Sequence, residues 1–117
     1  MTHAFRVVEY VREDGSNPYR TGFDGLHAQA AAKVASAVVR LELGNLSRVK
    51  WIGAIREYRI DWGPGYRIYL AKDGDSLVIL LGGGTKQRQQ ADIERAQAMW
   101  TEYKARKAAA MKSPGKR

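Results

Sequence analysis

An α+β domain, a small antiparallel sheet packed on one face by helices, is what this 117-residue sequence predicts, and three features predict it. Apolar residues recur at helical spacing over 26–41 and again over 93–103. Between them, residues 58–70 alternate with the two-residue period of half-buried strands. Breaks rich in glycine and proline separate these stretches, so consecutive strands are joined by short turns and not by helices. Strands gathered in one run with helices outside it make an α+β layer arrangement.

The elements follow in order. Phe5, Val7, Val8, Tyr10 and Val11 are β-branched, aromatic or apolar and predict a first strand, ended by the turn formers of 12–18. Leu26, Ala30, Val34, Val38 and Leu41 predict a helix over 24–43, with Asp24 as its N-cap and Gly44-Asn45 as its stop. From Val49 the period changes: Tyr58, Ile60 and Trp62 alternate with Glu57, Arg59 and Asp61. Gly63-Pro64-Gly65 turns the chain, and Tyr66, Ile68 and Leu70 alternate with Arg67, Tyr69 and Ala71. After the tight-turn signal Asp73-Gly74, residues 76–81 form an apolar run expected to be a central strand, which Gly82-Gly83-Gly84 should end. A second long helix is predicted over 89–106, with Ile93, Ala96, Trp100 and Tyr103 facing inward. The outline is β–α–β–β–β–α, with the first strand on one edge of a three-stranded meander.

Length and a 44% apolar share suit one domain, assigned to 1–107, with a basic and flexible tail over 108–117. The net charge is +8, and residues 104–117 hold six basic and no acidic side chains. Such a segment attracts phosphate or acidic partners without regard to sequence, or simply keeps a chain end solvated. Without cysteine there is no disulfide, thiolate nucleophile or cysteine metal site. The longest apolar run is far too short to span a bilayer, and residues 1–6 lack the pattern of a secretory signal. The expectation is a soluble cytoplasmic protein with no membrane association.

The alternation also places chemistry. With Tyr58, Ile60 and Trp62 turned to the helices, Glu57, Arg59 and Asp61 turn away; with Tyr66, Ile68 and Leu70 inward, Arg67 and Tyr69 turn outward. Arg59, Arg67 and Tyr69 should then share the open face of one sheet, with Lys86 at its edge. Two guanidinium forks, an ammonium and a phenol can hold a bent phosphodiester and stack on a base. The alternative is a solvated face balanced by Glu57 and Asp61. Gly82-Gly83-Gly84-Thr85-Lys86 lacks the spacing of a phosphate-binding P-loop, and reads as a strand exit with bare backbone amides. His3 and His27 are not spaced as a metal pair. No metal and no other cofactor is expected, so any RNA cleavage would use the ribose 2′-hydroxyl against its own phosphate, with cations stabilising the phosphorane.

The stretch 57–70 (EYRIDWGPGYRIYL) resembles the hallmark of the phage-type addiction-module killer proteins within the RelE/HigB/ParE toxin superfamily. So do 80–93 (LLGGGTKQRQQADI), the end Trp100-Thr101-Glu102-Tyr103-Lys104, and the alanine-rich first helix closing on Leu43-Gly44-Asn45-Leu46. The likeness covers roughly 5–107 in order. It implies a microbial-RNase-like fold and the toxin of a type II toxin–antitoxin module, a ribosome-dependent mRNA endonuclease inhibited by a helix-turn-helix antitoxin. It implies catalytic roles for Arg59, near a strand lysine of the family's cleft, for Arg67, matching the arginine of its Gly-Tyr-Arg, and for Lys86, beside a basic residue after the last strand. Tyr66, Tyr69, Arg88 and Gln90 are the accompanying candidates for RNA binding. The chain departs from the pattern where RelE-type toxins carry a C-terminal tyrosine, since it reads Gln89-Gln90-Ala91 there, and HigB-type histidines have no counterpart near the sheet. Two other functions compete: a non-cleaving toxin of the ParE type that inhibits DNA gyrase, and a basic RNA-binding module.

Overall fold

A computed structural model describes residues 4–112; His3 and the Ser113-Pro114-Gly115 end lie outside the described residues. The strands are β1 (Arg6–Glu9), β2 (Val49–Ile52), β3 (Ile55–Ile60), β4 (Tyr66–Asp73) and β5 (Leu77–Thr85). The helices are α1 (Pro18–Asp24), α2 (Ala28–Glu42) and α3 (Gln89–Lys112), the last preceded by a single 3-10 turn, Lys86–Arg88. One sheet holds all five strands in the order β1-β5-β4-β3-β2. The four later strands form an antiparallel meander, while β1 pairs with β5 in parallel, so the sheet is mixed and not purely antiparallel.

The helices cover both faces, which corrects the expectation of packing on one. Tyr58, Ile60, Tyr66, Ile68, Leu70, Val78 and Leu80 pack under α1 and α2. Ile55, Tyr69, Ala71, Ile79 and Leu81 pack against Ala96 and Met99 of α3 on the other side. A β4 that is buried at six consecutive positions, Tyr66 to Ala71, cannot have an open face. Fully burying the large apolar side chains on each side contributes about 1.5–3 kcal/mol apiece, so a second helix layer is the stable outcome.

Three boundaries differ from expectation for local reasons. The helix predicted over 24–43 is two helices. Asn17 caps α1 by accepting from the Arg20 amide at 3.0 Å, Pro18 occupies its first turn, and Asp24 is its last residue and not a cap. After Gly25 and Leu26, His27 Nδ1 accepts from the Ala30 amide at 3.3 Å and starts α2. The strand region from Val49 is a hairpin, β2 to β3, turning at Gly53 with φ +59°. The glycine run does not end β5 but belongs to it, pairing with Arg67, Ile68 and Tyr69 beyond a bulge that leaves Leu81 as the extra residue. Finally, α3 continues to Lys112, so residues 108–112 of the expected flexible tail are helical. No helix among the described residues is long and apolar enough to cross a membrane.

Candidate functional site

The register sets the site. Arg59 on β3 stands directly opposite Arg67 on β4, and Glu57 stands opposite Tyr69, one pleat further along. All four side chains point to the α3 face, since Ile55 and Ala71 of the same strands pack there. The face is not open: the start of α3 lies across it. Glu57 is wholly buried, and its carboxylate gathers the surrounding donors. Arg59 Nε donates to Oε1 at 2.8 Å, and Gln89 Nε2, from the first residue of α3, donates to Oε2 at 2.7 Å. Arg67 Nε stands 3.9 Å from the same oxygen, too far for a hydrogen bond.

This geometry fixes the electrostatics. Burial pushes the Glu57 carboxyl upward, but hydrogen bonding from Arg59 and Gln89, the nearby Tyr69 hydroxyl and the charge of Arg59 together overcome it and hold the group below its ordinary range. Glu57 is therefore a carboxylate at neutral pH. The same hydrogen bond raises Arg59 further into its protonated state. Arg59 keeps 37% of its side chain exposed, whereas Arg67 keeps 7%. Arg67 uses Nη1 to donate to the Gly65 carbonyl at 3.1 Å, and its buried Nε has no hydrogen-bond partner among the described residues. One arginine is thus firmly committed to Glu57 and the other only loosely held.

Lys86 joins from the far side of the turn. Its amide donates to the Gly65 carbonyl at 2.9 Å, and Gly65, at φ +78°, lies against both Lys86 and the Arg67 guanidinium. The Lys86 side chain is exposed, as is Arg88 two residues on. Gln90 is exposed as well and donates to Glu94 at 3.1 Å, away from the buried cluster.

The two sheet tyrosines are placed otherwise than an RNA-stacking role requires. Tyr69 is fully buried against α3, where burial and the charge of Glu57 raise its phenol well above the ordinary value. Its hydroxyl stands beside the Glu57 carboxylate, near enough to help hold that group ionised, but in no hydrogen bond of good geometry among the described residues. Tyr66 lies on the opposite face, 9% exposed and stacked on Trp62 with ring centres 6.1 Å apart. Trp62 is half-buried there, while Trp51 on the edge strand β2 is 66% exposed with the Arg56 guanidinium 4.0 Å over its ring. His27 is used as the helix cap, and the described residues hold no cluster of three His, Cys, Asp or Glu side chains able to take a metal ion.

The glycine run has a packing explanation. A Cβ on Gly83 would lie 2.7 Å from the Arg67 carbonyl oxygen, and one on Gly84 would collide with the Asp92 carboxylate. Asp92 is buried in the first turn of α3 and is ion-paired to Arg95. Bare backbone at 83–84 lets α3 settle onto β5 beside Arg67, whose register partner is Gly84. Glu57 and Gln89 are not singled out by the sequence, yet they organise the cluster. A signal is present: Glu57 shares the strand face of Arg59, and a carboxylate between two arginines on a face that turns out to be covered must be paired.

A protein of Haemophilus influenzae described as uncharacterized is 43% identical over 72 residues, which are 61% of this chain and 73% of that protein. The chain belongs to the family of that protein. No protein-family model matches the chain, and no solved structure does.

Proposed function

We propose that the protein is the toxin of a type II toxin–antitoxin module and a metal-independent, ribosome-dependent endonuclease of mRNA. One observation supports this reading above the others. Arg59 and Arg67 face each other across neighbouring strands, and the backbone and Cβ of Lys86 lie against Gly65 at the same end of the meander. Arg67 carries a buried guanidinium nitrogen without a hydrogen-bond partner among the described residues, an arrangement that costs about 1–3 kcal/mol and that a phosphate oxygen would relieve once the start of α3 moved aside. In the proposed reaction a ribose 2′-oxygen attacks its own phosphorus and the 5′-oxygen leaves, giving a cyclic 2′,3′-phosphate and a 5′-hydroxyl end. Arg67 and Lys86 neutralise the charge that gathers on the phosphorane. Arg59, held by Glu57, presents its remaining donors to the phosphate. Glu57 itself, buried and with a depressed pKa, is a weak base, so proton transfer falls to groups of the ribosome–mRNA complex. Acting on translated mRNA would place the protein in the cytoplasm, restrained by a helix-turn-helix antitoxin.

The test is brief induction followed by mapping of 5′ ends across cellular mRNA. Codon-phased cuts inside reading frames that vanish with Arg67→Lys are expected; intact mRNA with growth arrest would end the nuclease reading. A second reading, a non-cleaving toxin that acts on DNA gyrase, is favoured by the burial of both sheet tyrosines and the use of His27 as a cap. It predicts inhibition of gyrase supercoiling in vitro with mRNA left whole. A bare RNA-binding module would do neither.

A further inference from the structure

A second group of cations lies around the corner from Arg59 and Arg67. A cleft of about 550 Å³ opens between α2 and the end of β3. Lys33, Ser36 and Arg40 form one wall; their spacing of three and four residues puts them on one stripe of α2. Asn45, Ser47 and Arg48 form the floor. Asn45 Oδ1 accepts from both the Ser47 amide at 3.0 Å and the Ser47 hydroxyl at 2.8 Å, which stiffens the loop that presents Arg48. The cleft runs into a shallower hollow of about 380 Å³ that adds Lys50 and shares Arg48 and Arg59.

Five cations therefore border one continuous depression: Lys33, Arg40, Arg48, Lys50 and Arg59. The carboxylate that lines it is Asp61, 80% exposed and 3.6 Å from Arg48, while Arg59 is engaged by the buried Glu57. Lys33, Arg40 and Lys50 make no ion pair among the described residues. Concave walls that are mostly cationic focus the field, and they attract polyanions more than a scattered surface does. Hydroxyl, amide and charged groups make up most of the lining; the apolar side chains that border it, Tyr58, Ile60 and Trp62, are packed into the core under α2, with Lys33 Nζ 5.6 Å over the Trp62 ring, so polar groups dominate what a partner would meet. Arg59 borders both the depression and the Glu57 cluster, so a strand gripped at the cluster leads straight into it.

We propose that this depression is a binding track for the phosphate backbone of single-stranded RNA, running along the flank of the Arg59–Arg67 site. The choice of RNA rests on the function proposed above; the track does not require that the RNA be cut. It acts as a set of phosphate contacts without base readout, so affinity should depend on salt and little on sequence.

The experiment is fluorescence anisotropy of the full chain with a labelled unstructured oligouridylate over a series of salt concentrations. Lys33→Ala/Arg40→Ala is compared with a charge-matched control, Lys104→Ala/Lys112→Ala, at exposed positions of α3. All four positions are exposed and helical, where alanine is well accommodated. The cleft variant should bind about tenfold or more weakly at low salt and lose roughly 1.4 from the log–log salt slope, at 0.7 per phosphate contact. The control should change affinity less than about twofold. Equal losses in both variants, or none in either, would overturn the track. So would displacement of the RNA by polyglutamate at equal charge, which would mark the cleft as a dock for an acidic protein. If induced wild-type protein leaves mRNA intact while the cleft variant still loses RNA binding, the nuclease reading fails and the track stands. If mRNA is cut and the cleft variant binds as wild type, the reverse holds.

Discussion

The two faces of the sheet are both buried, but by different means. Under α1 and α2 the strands present Tyr58, Ile60, Ile68 and Leu70 to an apolar layer. Under α3 the same strands present Arg59 and Arg67 at one end, Glu57 beside Tyr69 in the middle, and Ile55 and Ala71 at the other end, so about half of that layer is ionic. An apolar layer can close with whatever side chains fill the volume. An ionic one closes only when every charge finds its counterpart, which is why Gln89 at the first position of α3 reaches back to Glu57. The difference teaches that strand alternation assigns a side chain to a face and says nothing about whether that face meets water.

The largest expected effect tests whether the ionic half is held by Glu57. Glu57→Gln leaves Arg59 and Arg67 facing each other without an anion, and should cost about 3–5 kcal/mol in urea unfolding. Glu57 also sets a pH dependence whose sign follows from its depressed pKa. Its stabilisation is complete above the unfolded value, 4.5, and is lost as pH falls through the lower folded value. Wild-type stability should therefore drop below pH 4.5, and the Gln variant should drop less over the same interval. Equal slopes in the two proteins would show that Glu57 is not the group that closes this layer.

A smaller effect is expected where backbone, and not charge, lets α3 approach. Gly84→Ala forces its new methyl group against Asp92 and should destabilise by about 1–3 kcal/mol. Gly22 provides the contrast. It sits in α1 without a positive φ, and a Cβ there would meet nothing within 4 Å, so Gly22→Ala should stabilise by about 0.5–1 kcal/mol. Thermal unfolding of the pair checks both. A neutral Gly84→Ala would mean that Asp92 and α3 can move, and that the glycine run serves something other than packing.

Much of the scaffold is legible in the sequence because it rests on local rules. The strands around Tyr58, Ile68 and Ile79, the hairpin at Gly63-Pro64-Gly65 and the start of α3 at Gln89 follow from periodicity and turn chemistry. The pairing of Arg59 with Arg67 is legible too, because alternation and one hairpin determine it. What escapes the sequence is non-local. Neither the parallel pairing of β1 with β5 nor the placement of α3 on the second face has a signal in any short window. The boundary between α1 and α2 is hidden because Leu26 keeps the helical period across Gly25, while His27 caps the second helix in place of an acidic residue. At the site, Arg59, Arg67 and Lys86 lie near one turn as their sequence pattern suggests, but Tyr66 and Tyr69 fall on opposite faces, both buried. By alternation alone Glu57 is a solvated balancing charge; its burial depends on α3, which begins 32 residues away at Gln89.

The smallest effect separates the two halves of the α3 layer most sharply. Tyr69 is buried beside Glu57, and its hydroxyl stands close enough to that carboxylate to perturb both groups without forming a hydrogen bond of good geometry. Removing that oxygen leaves the ring's packing against Ala96 and Met99 intact and deletes a buried polar atom whose contact with Glu57 is poorly formed. Tyr69→Phe should therefore be neutral or stabilising by up to about 1 kcal/mol. Ordinary tyrosines with well-made hydrogen bonds lose stability on the same change, so the sign is informative. On the toxin reading proposed above, growth inhibition on induction gives an independent readout, because a phenol that donates a proton or contacts RNA would be needed for toxicity even where the fold does not need it. Toxicity unchanged with stability unchanged or raised makes Tyr69 part of the apolar half of the layer. A variant that folds as well as wild type but loses toxicity would move Tyr69 into the Arg59–Arg67 site, and would require α3 to lift from the sheet when RNA binds.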